Sequence, residues 1–334
     1  MSRVLVSILN WNGAVQTLDC VRDLLGQQLP AGVTADIQVI DNGSKPANAE
    51  VLVQGLAGLP VALRREAVNH GFAGGHNLAV ARALEEGYAF IWLVNSDAVM
   101  GSHDVLAQLL ALMAADDQCG AASPLLAILE QPDKVYFCGN FHDWANLDTQ
   151  RARSIDDARA TAGKRRAQQW VPGTAMLLRT QALRVAGKLD ERMFAYYEDD
   201  ELCARLALHG WHSAVAYGAR VLHAMPRRET DRPPYYFYLM ARNYLIFWHG
   251  STPPAHRRRL GLKLLDRALY DVNRLYYRGF PEQACAALLG VEDFLRRRHG
   301  RPVLDRSASF RLRALRALLW LPHLRVLRRL DRTG

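Results

Sequence analysis

The 334-residue chain is 50% hydrophobic, enough to bury a large core in one large domain or two. Its five cysteines are odd in number and show no CxxC spacing, which speaks against a disulfide framework or a cysteine zinc site and fits a reducing, cytoplasmic compartment. The net charge of +9 is uneven: residues 251–334 hold 19 Lys and Arg against 7 Asp and Glu, while the first 250 residues hold 23 against 26.

The N-terminal apolar run is broken at Asn10, so it does not read as a signal peptide, and no stretch approaches the roughly 18 apolar residues of a spanning helix. Val4 to Leu9 reads as a buried strand ending in Asn10-Trp11-Asn12-Gly13. A helical pattern (Val15, Leu18, Val21, Leu24, Leu25) follows, closed by Gly26 and Pro30. Ile37 to Ile40 is a second strand, ending in Asp41-Asn42-Gly43-Ser44. Strand, helix and strand at this spacing form a βαβ unit with a parallel sheet. Asp41 suits hydrogen bonding to a base or ribose, and equally an Asx turn.

Asn69-His70-Gly71-Phe72-Ala73-Gly74-Gly75-His76-Asn77 opens a helical run from Leu78 to Leu84, and its three glycines would let backbone approach a phosphate or sugar. Phe90 to Val94 is a continuous apolar run followed by Asn95, Ser96 and Asp97. Such a run reads as a strand buried on both faces, and ligands of open α/β sheets bind at the carboxyl ends of strands. Asp97 there suits a hard divalent cation neutralising a diphosphate, or simply a helix cap. A helix is expected over about 103–115, and the polar stretch from Asn140 to Gln169 reads as a mobile loop.

Trp170-Val171-Pro172-Gly173-Thr174-Ala175-Met176 and then Glu198-Asp199-Asp200-Glu201 form a second chemical stretch. One or two acids suit a helix N-terminus. Four in a row repel one another, so a cation or a catalytic task is the better account. Gly210-Trp211 closes that helix, and a strand including Val215 to Val221 leads to His223, which suits a structural role and a ligand role alike. From Ala255 the pattern is helical and basic.

Taken in order, these motifs resemble the inverting family 2 glycosyltransferases, in particular the bacterial rhamnosyltransferase-like branch. The correspondences are Asn10-Trp11-Asn12-Gly13, Val39 to Ser44, Asn69 to Asn77, Leu93 to Asp97, Gly173 to Met176, and Asp190 to Arg205, with His223 and Arg242-Asn243 where the family keeps a His and an Arg-Asn pair. Together they span about residues 4–245. The acidic pair of the family's metal site is here Asn95 and Asp97, one charge short; Glu201 stands where Asp is usual and Leu189 where Phe is usual.

The resemblance implies a GT-A fold: α/β, Rossmann-like, a mixed and mainly parallel sheet flanked by helices, over residues 1–250, with 251–334 a basic amphipathic helical extension. It implies transfer of a sugar, rhamnose by branch resemblance, from a nucleotide-diphosphate sugar to a hydroxyl of a glycan or lipid-linked acceptor in cell-surface polysaccharide synthesis. Asp199, with Glu198, would be catalytic. Asn10, Asn12, Asp41, Asn42, Gly71, Phe72, Gly74, Gly75, Asn77, Asn95 and Arg242 would bind the donor, and Gly173, Thr174 and Trp211 would lie on the acceptor side. Asp97 and His223 would hold Mg²⁺ or Mn²⁺.

Two rivals rank lower. A sugar nucleotidyltransferase would carry a basic, Gly-rich signature after the first strand, which is missing. A nucleic-acid-binding protein would use the tail, yet Arg alternating with Leu suits lipid better, so no nucleic acid is expected. The tail is expected to hold the chain peripherally on the anionic inner face of the cell membrane. Docking on protein or a homodimer is the alternative use of its apolar stripe (Leu312, Leu315, Leu319, Leu327, Leu330).

Overall fold

A computed structural model describes residues 2–225 and 228–331. The chain divides into two compact units. The first takes residues 1–143, 148–191 and 198–225; the second takes 144–147, 192–197 and everything after Met225. The division thus falls earlier than the boundary at 250 expected from sequence.

The first unit begins β1 (Ser2–Asn10), α1 (Ala14–Leu25), β2 (Val33–Asn42), α2 (Pro46–Leu56), β3 (Val61–Glu66), α3 (Gly71–Glu85) and β4 (Phe90–Asn95). Then come β5 (Ala98–Met100), α4 (Val105–Ala115), β6 (Cys119–Ile128) and β7 (Gln131–Phe137). Each helix has a local cause. In α1 the buried Leu18, Val21 and Leu24 recur at helical spacing, and in α2 Pro46 occupies the first turn, where no N–H is needed. The apolar run of β4 is buried on both faces, with Trp92 fully enclosed. Truncating Trp92 to Ala would cost about 3–5 kcal/mol.

The next elements are β8 (Asn140–Asp143), β9 (Asp148–Arg151), α5 (Ile155–Arg165), β10 (Gln169–Trp170), β11 (Ala175–Arg179), α6 (Thr180–Ala186), α7 (Glu198–Leu208) and β12 (His212–His223). The main sheet runs in the order β3-β2-β1-β4-β11-β6-β12-β5, with β7 beside β6. Strands β1 to β4, β6 and β12 are parallel, and β11, β5 and β7 run against them, so the sheet is mixed and mainly parallel. Register aligns the polar strand ends. Asn10 faces Asp41, Leu9 faces Asn95, and Ala175 faces Val94, so Gly173 and Thr174 return to the same edge. His223 pairs with Ala98, one residue after Asp97.

The stretch expected to be a mobile loop is folded. Strands β10, β8 and β9 form a small antiparallel sheet, and α5 has a capped start: Ser154 Oγ accepts from Asp157 N at 3.1 Å, while Asp157 Oδ2 accepts from Arg153 N at 2.9 Å. Acids in its first turn and Lys164 and Arg165 in its last suit the helix dipole.

The second unit is helical: α8 (Pro234–Ser251), α9 (Leu260–Tyr277), α10 (Pro281–Leu295), α11 (Phe310–Leu318) and α12 (Trp320–Asp331). Helices α8 and α10 cross closely at Gly290, where a Cβ would stand 2.2 Å from the Tyr238 carbonyl oxygen. Helix α12 packs on α9, and buried His323 bridges Asp266 Oδ1 (3.1 Å) and Asn273 Nδ2 (2.9 Å). Among the described residues no helix is long and apolar enough to cross a membrane.

Candidate active site

The carboxyl edge of the main sheet gathers most of the residues singled out from sequence. Asn10 is its hub. Its amide nitrogen donates to Asp41 Oδ1 (3.0 Å), Ser44 Oγ (3.0 Å) and Asn48 Oδ1 (3.3 Å), and its Oδ1 accepts from Gly13 N and Thr17 Oγ1. Asn12, at a left-handed φ of 59°, accepts from Lys45 N and donates its own N–H to Ser44. Asp41 Oδ2 faces the half-exposed guanidinium of Arg65 at 3.8 Å. Arg65 and Ser44 are site neighbours that sequence reading left unassigned.

Several of the residues expected to bind the donor also make contacts within the fold. Asn42 is buried and spends its amide on the 69–71 turn, accepting from His70 N and donating to Gly71 O and Asn69 Oδ1. Asn77 is buried too, latching Leu189 N and O and Glu191 Oε1. Gly74 and Gly75 face their own fold: a Cβ would meet His70 Cβ at 2.9 Å or Leu9 Cδ1 at 2.4 Å. Gly71, at φ 74°, opens α3 at the sheet edge, and Phe72 remains partly exposed there. Arg242 belongs to the second unit and is fully buried, its guanidinium donating to the Gly300, Arg192 and Met193 carbonyls. Trp211, expected on the acceptor side, precedes the amino end of β12, roughly 35 Å of strand from His223.

Beside β4, Asp97 Oδ1 and Asn95 Nδ2 each lie 3.3 Å from His223 Nε2, and Tyr136 Oη lies 3.3 Å from His223 Nδ1. Burial works upward on the Asp97 carboxyl, but the hydrogen bond and charge of His223 outweigh it and leave the group below its usual range. One carboxylate and one imidazole therefore converge, with 40% of the Asp97 side chain exposed. Among the described residues no cluster of three His, Cys, Asp or Glu forms a closed metal cage. A cation at Asp97 and His223 would need its remaining ligands from a diphosphate and water.

The four acids opening α7 have four different settings. Glu201 is paired with Arg205, Nη2 to Oε2 at 2.7 Å. Asp200 Oδ1 faces His142 Nε2 at 3.1 Å inside the protein. Glu198 is buried, and burial, together with the Asp199 charge, raises its carboxyl well above the ordinary value. Asp199 alone of the first three keeps exposed surface. Its Oδ2 accepts from Gly173 N (2.9 Å) and its Oδ1 from Asp200 N (3.0 Å). Burial first, then the Asp200 charge, raises Asp199 to about 7 against the pull of those two N–H groups. A carboxylate poised there is matched to proton abstraction near neutral pH. Gly173 is required by space: a Cβ would stand 2.9 Å from the Phe72 ring. Thr174 O accepts from Asn95 N, tying the turn before β11 to the end of β4.

The fold and this edge define a GT-A nucleotide-sugar transferase architecture. The family profile described as Glycosyltransferase like family 2 matches residues 2–245, and the chain belongs to that family. It is 43% identical over 83 residues to an N-acetylglucosaminyl-diphospho-decaprenol L-rhamnosyltransferase of Mycobacterium tuberculosis, covering 25% of this chain and 24% of that one. It is 28% identical over 193 residues to galactofuranosyltransferase GlfT1 of the same organism, covering 55% and 59%. The matches thus span from a quarter to about three-fifths of those relatives. Among solved structures, the mannosyltransferase PcManGT from Pyrobaculum calidifontis, in complex with GDP-Man and Mn²⁺, superposes with a TM-score of 0.54 at 17% identity, covering 96% of this chain and 80% of that one. Staphylococcus aureus TarS 1–349 with UDP-GlcNAc gives 0.55 at 15%, covering 89% and 81%. At such identities these establish the fold.

Proposed function

We propose that this chain transfers a sugar, with inversion, from a nucleotide-diphosphate sugar to a hydroxyl of a lipid-linked glycan acceptor in cell-surface polysaccharide synthesis. Rhamnose is the favoured sugar. The observation that carries the reading is Asp199: a carboxylate held by two backbone N–H groups, raised to about 7, on the first turn of α7. In a single displacement the acceptor oxygen bonds to the anomeric carbon as the nucleoside diphosphate leaves, and Asp199 takes the hydroxyl proton. In this reading Asp41 and Arg65, at the ends of β2 and β3, would contact the nucleoside, Asn95 the rest of the donor, and Thr174 would lie on the acceptor side; strand register and the Asn95 N to Thr174 O bond support the grouping. Two strand spacings, roughly 10 Å, separate the ends of β2 and β4, a span suited to a nucleoside followed by its phosphates. A cation held by Asp97 and His223 would supply positive charge for the departing diphosphate.

The rhamnosyltransferase and GlfT1 likenesses support a short donor panel: dTDP-rhamnose and UDP-galactofuranose, with UDP-N-acetylglucosamine as an additional comparison, each with and without Mg²⁺ or Mn²⁺. A donor at 100 times its Kd adds about 2.7 kcal/mol of stability, which a thermal shift resolves. Stabilisation by one donor together with its transfer to a polyprenyl-diphosphate glycan is the expected result. Stabilisation by none of them, with no transfer, rejects the reading. The basic residues after 251 support attachment to the inner membrane face, where such an acceptor resides.

A further inference from the structure

Helices α11 and α12 carry two apolar faces, and only one is used by the protein. Leu312 and Leu327, two members of the stripe expected to meet a membrane, are 5% and 4% exposed and belong to the core of the helical unit. A second set points away. Phe310 is 77% exposed, Leu318 76% and Leu321 64%. With Ala314 and Ala317 they fall at i, i+4, i+7, i+8 and i+11, one helical stripe opposite Leu312, carried between the helices by Leu319 in right-handed helical geometry. Arg311 and Arg313 flank the stripe, and Arg316, Arg325, Arg328 and Arg329 continue the charge, against Asp331 as the single acid between 310 and 331.

Next to this stripe lies a surface cavity of about 420 Å³ lined by Tyr276, Arg316, Ala317 and Trp320. The Arg316 guanidinium is held by Asn273 Oδ1 at 3.1 Å and lies 4.7 Å from the Tyr276 ring centroid and 5.9 Å from that of Trp320. An anchored guanidinium between two aromatic rings suits a phosphate group, and Trp with Tyr suits the headgroup level of a bilayer.

We infer that α11 and α12 lie flat on an anionic lipid surface, with Phe310, Leu318 and Leu321 in the acyl boundary and a phospholipid phosphate in the Arg316 cavity. Charge selects this occupant. Six arginines beside the exposed stripe oppose a second copy of the same face and attract anionic headgroups. The inference rests on the proposed lipid-linked acceptor, and it centres the contact on the side opposite the buried Leu312 rather than on Leu312 and Leu327.

The experiment is co-sedimentation of the full chain with vesicles rich in phosphatidylglycerol or made of phosphatidylcholine alone. It compares the wild type with Phe310→Ser/Leu318→Ser/Leu321→Ser and with Arg316→Gln, checking each melting temperature. Exposed positions leave the triple variant folded, and its affinity for the anionic vesicles should fall about tenfold or more. Arg316→Gln should weaken binding to phosphatidylglycerol alone. Wild-type binding unchanged in the triple variant overturns this face while leaving membrane attachment standing. No wild-type binding, with the triple variant converting a dimer to a monomer, overturns it in favour of a second copy. Donor hydrolysis in solution tests the transferase reading separately: its loss alongside intact vesicle binding rejects the transferase and supports the surface.

Discussion

His142 and Asp200 face each other across 3.1 Å, Nε2 to Oδ1, with both side chains buried. Burial lowers His142 to about 3, opposed by the Asp199 charge, so the imidazole is neutral near pH 7. Burial raises Asp200 well above its usual value, with Arg151 pulling it back. The ring also lies parallel to Trp170, at 6.2 Å and 10°. Wherever Asp200 is ionised, its charge adds to burial in lifting the Asp199 carboxyl.

Asp200→Asn therefore lets Asp199 ionise at lower pH. The acid limb of the pH profile of kcat/KM should move down by about one unit. His142→Leu should move it the same way, and His142→Gln, which keeps a donor, should move it less. A limb that stays fixed in all three would detach the pair from the base.

For Asp199 itself, the Asn variant keeps shape and loses the base, so transfer should fall by roughly 10²-fold or more while nucleotide binding persists. Stability should change in the opposite direction. Because the folded-state value is raised, the native protein binds more protons than the unfolded chain between about pH 4 and 7. Stability is consequently lost as pH rises through that window. A rise of about three units is worth roughly 4 kcal/mol as an upper bound, less for a site that keeps solvent contact. Asp199→Asn should melt higher than wild type at pH 8 and level with it near pH 4. Equal melting at both would mean that Asp199 is not strained by burial.

The proposed cation at Asp97 and His223 gives the next prediction. Excess EDTA should abolish transfer, and Mn²⁺ or Mg²⁺ should restore it. Asp97→Asn should need far more metal for the same rate, since a neutral amide is the poorer ligand for a hard cation. Undiminished turnover in EDTA would assign the leaving group to Arg side chains or backbone N–H groups.

How much of this was legible differs by element, for physical reasons. Strand β4 announces itself as an unbroken apolar run, and β1 and β2 as apolar runs interrupted only by the buried Ser7 and Gln38, because strands buried on both faces are rich in apolar residues. The motif residues at their ends fall on one edge because a parallel sheet puts every carboxyl end on the same side. His142 escaped notice: β8 has four residues, Asn-Phe-His-Asp, too few and too polar to show a period of two. Its partner Asp200 lies 58 residues away, and no local pattern reports such a pairing. The glycines of α3 are ambiguous in sequence for a related reason. Close approach to a side chain of the same fold and close approach to a phosphate demand the same absence of Cβ, and only Leu9 and His70 in place distinguish the two.

Arg242 and Asn243 give the last prediction. Just before α7, Phe194, Tyr196 and Tyr197 all have positive φ, between 63° and 70°, an arrangement costing about 1–2 kcal/mol per residue. The turn persists because its carbonyls are held. Arg242 donates to those of Arg192 and Met193, and Asn243 Nδ2 lies 2.8 Å from those of Met193, Ala195 and Tyr196. Removing the buried guanidinium strands several acceptors at about 1–3 kcal/mol each. Arg242→Ala should thus destabilise the protein by about 3 kcal/mol or more, and Arg242→Lys should rescue little, because an ammonium lacks the fork. Calorimetry measures the stability, and titration of nucleotide onto the folded fraction measures the site. Lost stability with nucleotide affinity retained is the outcome expected of a clamp. Lost affinity with stability intact would return Arg242 to the donor.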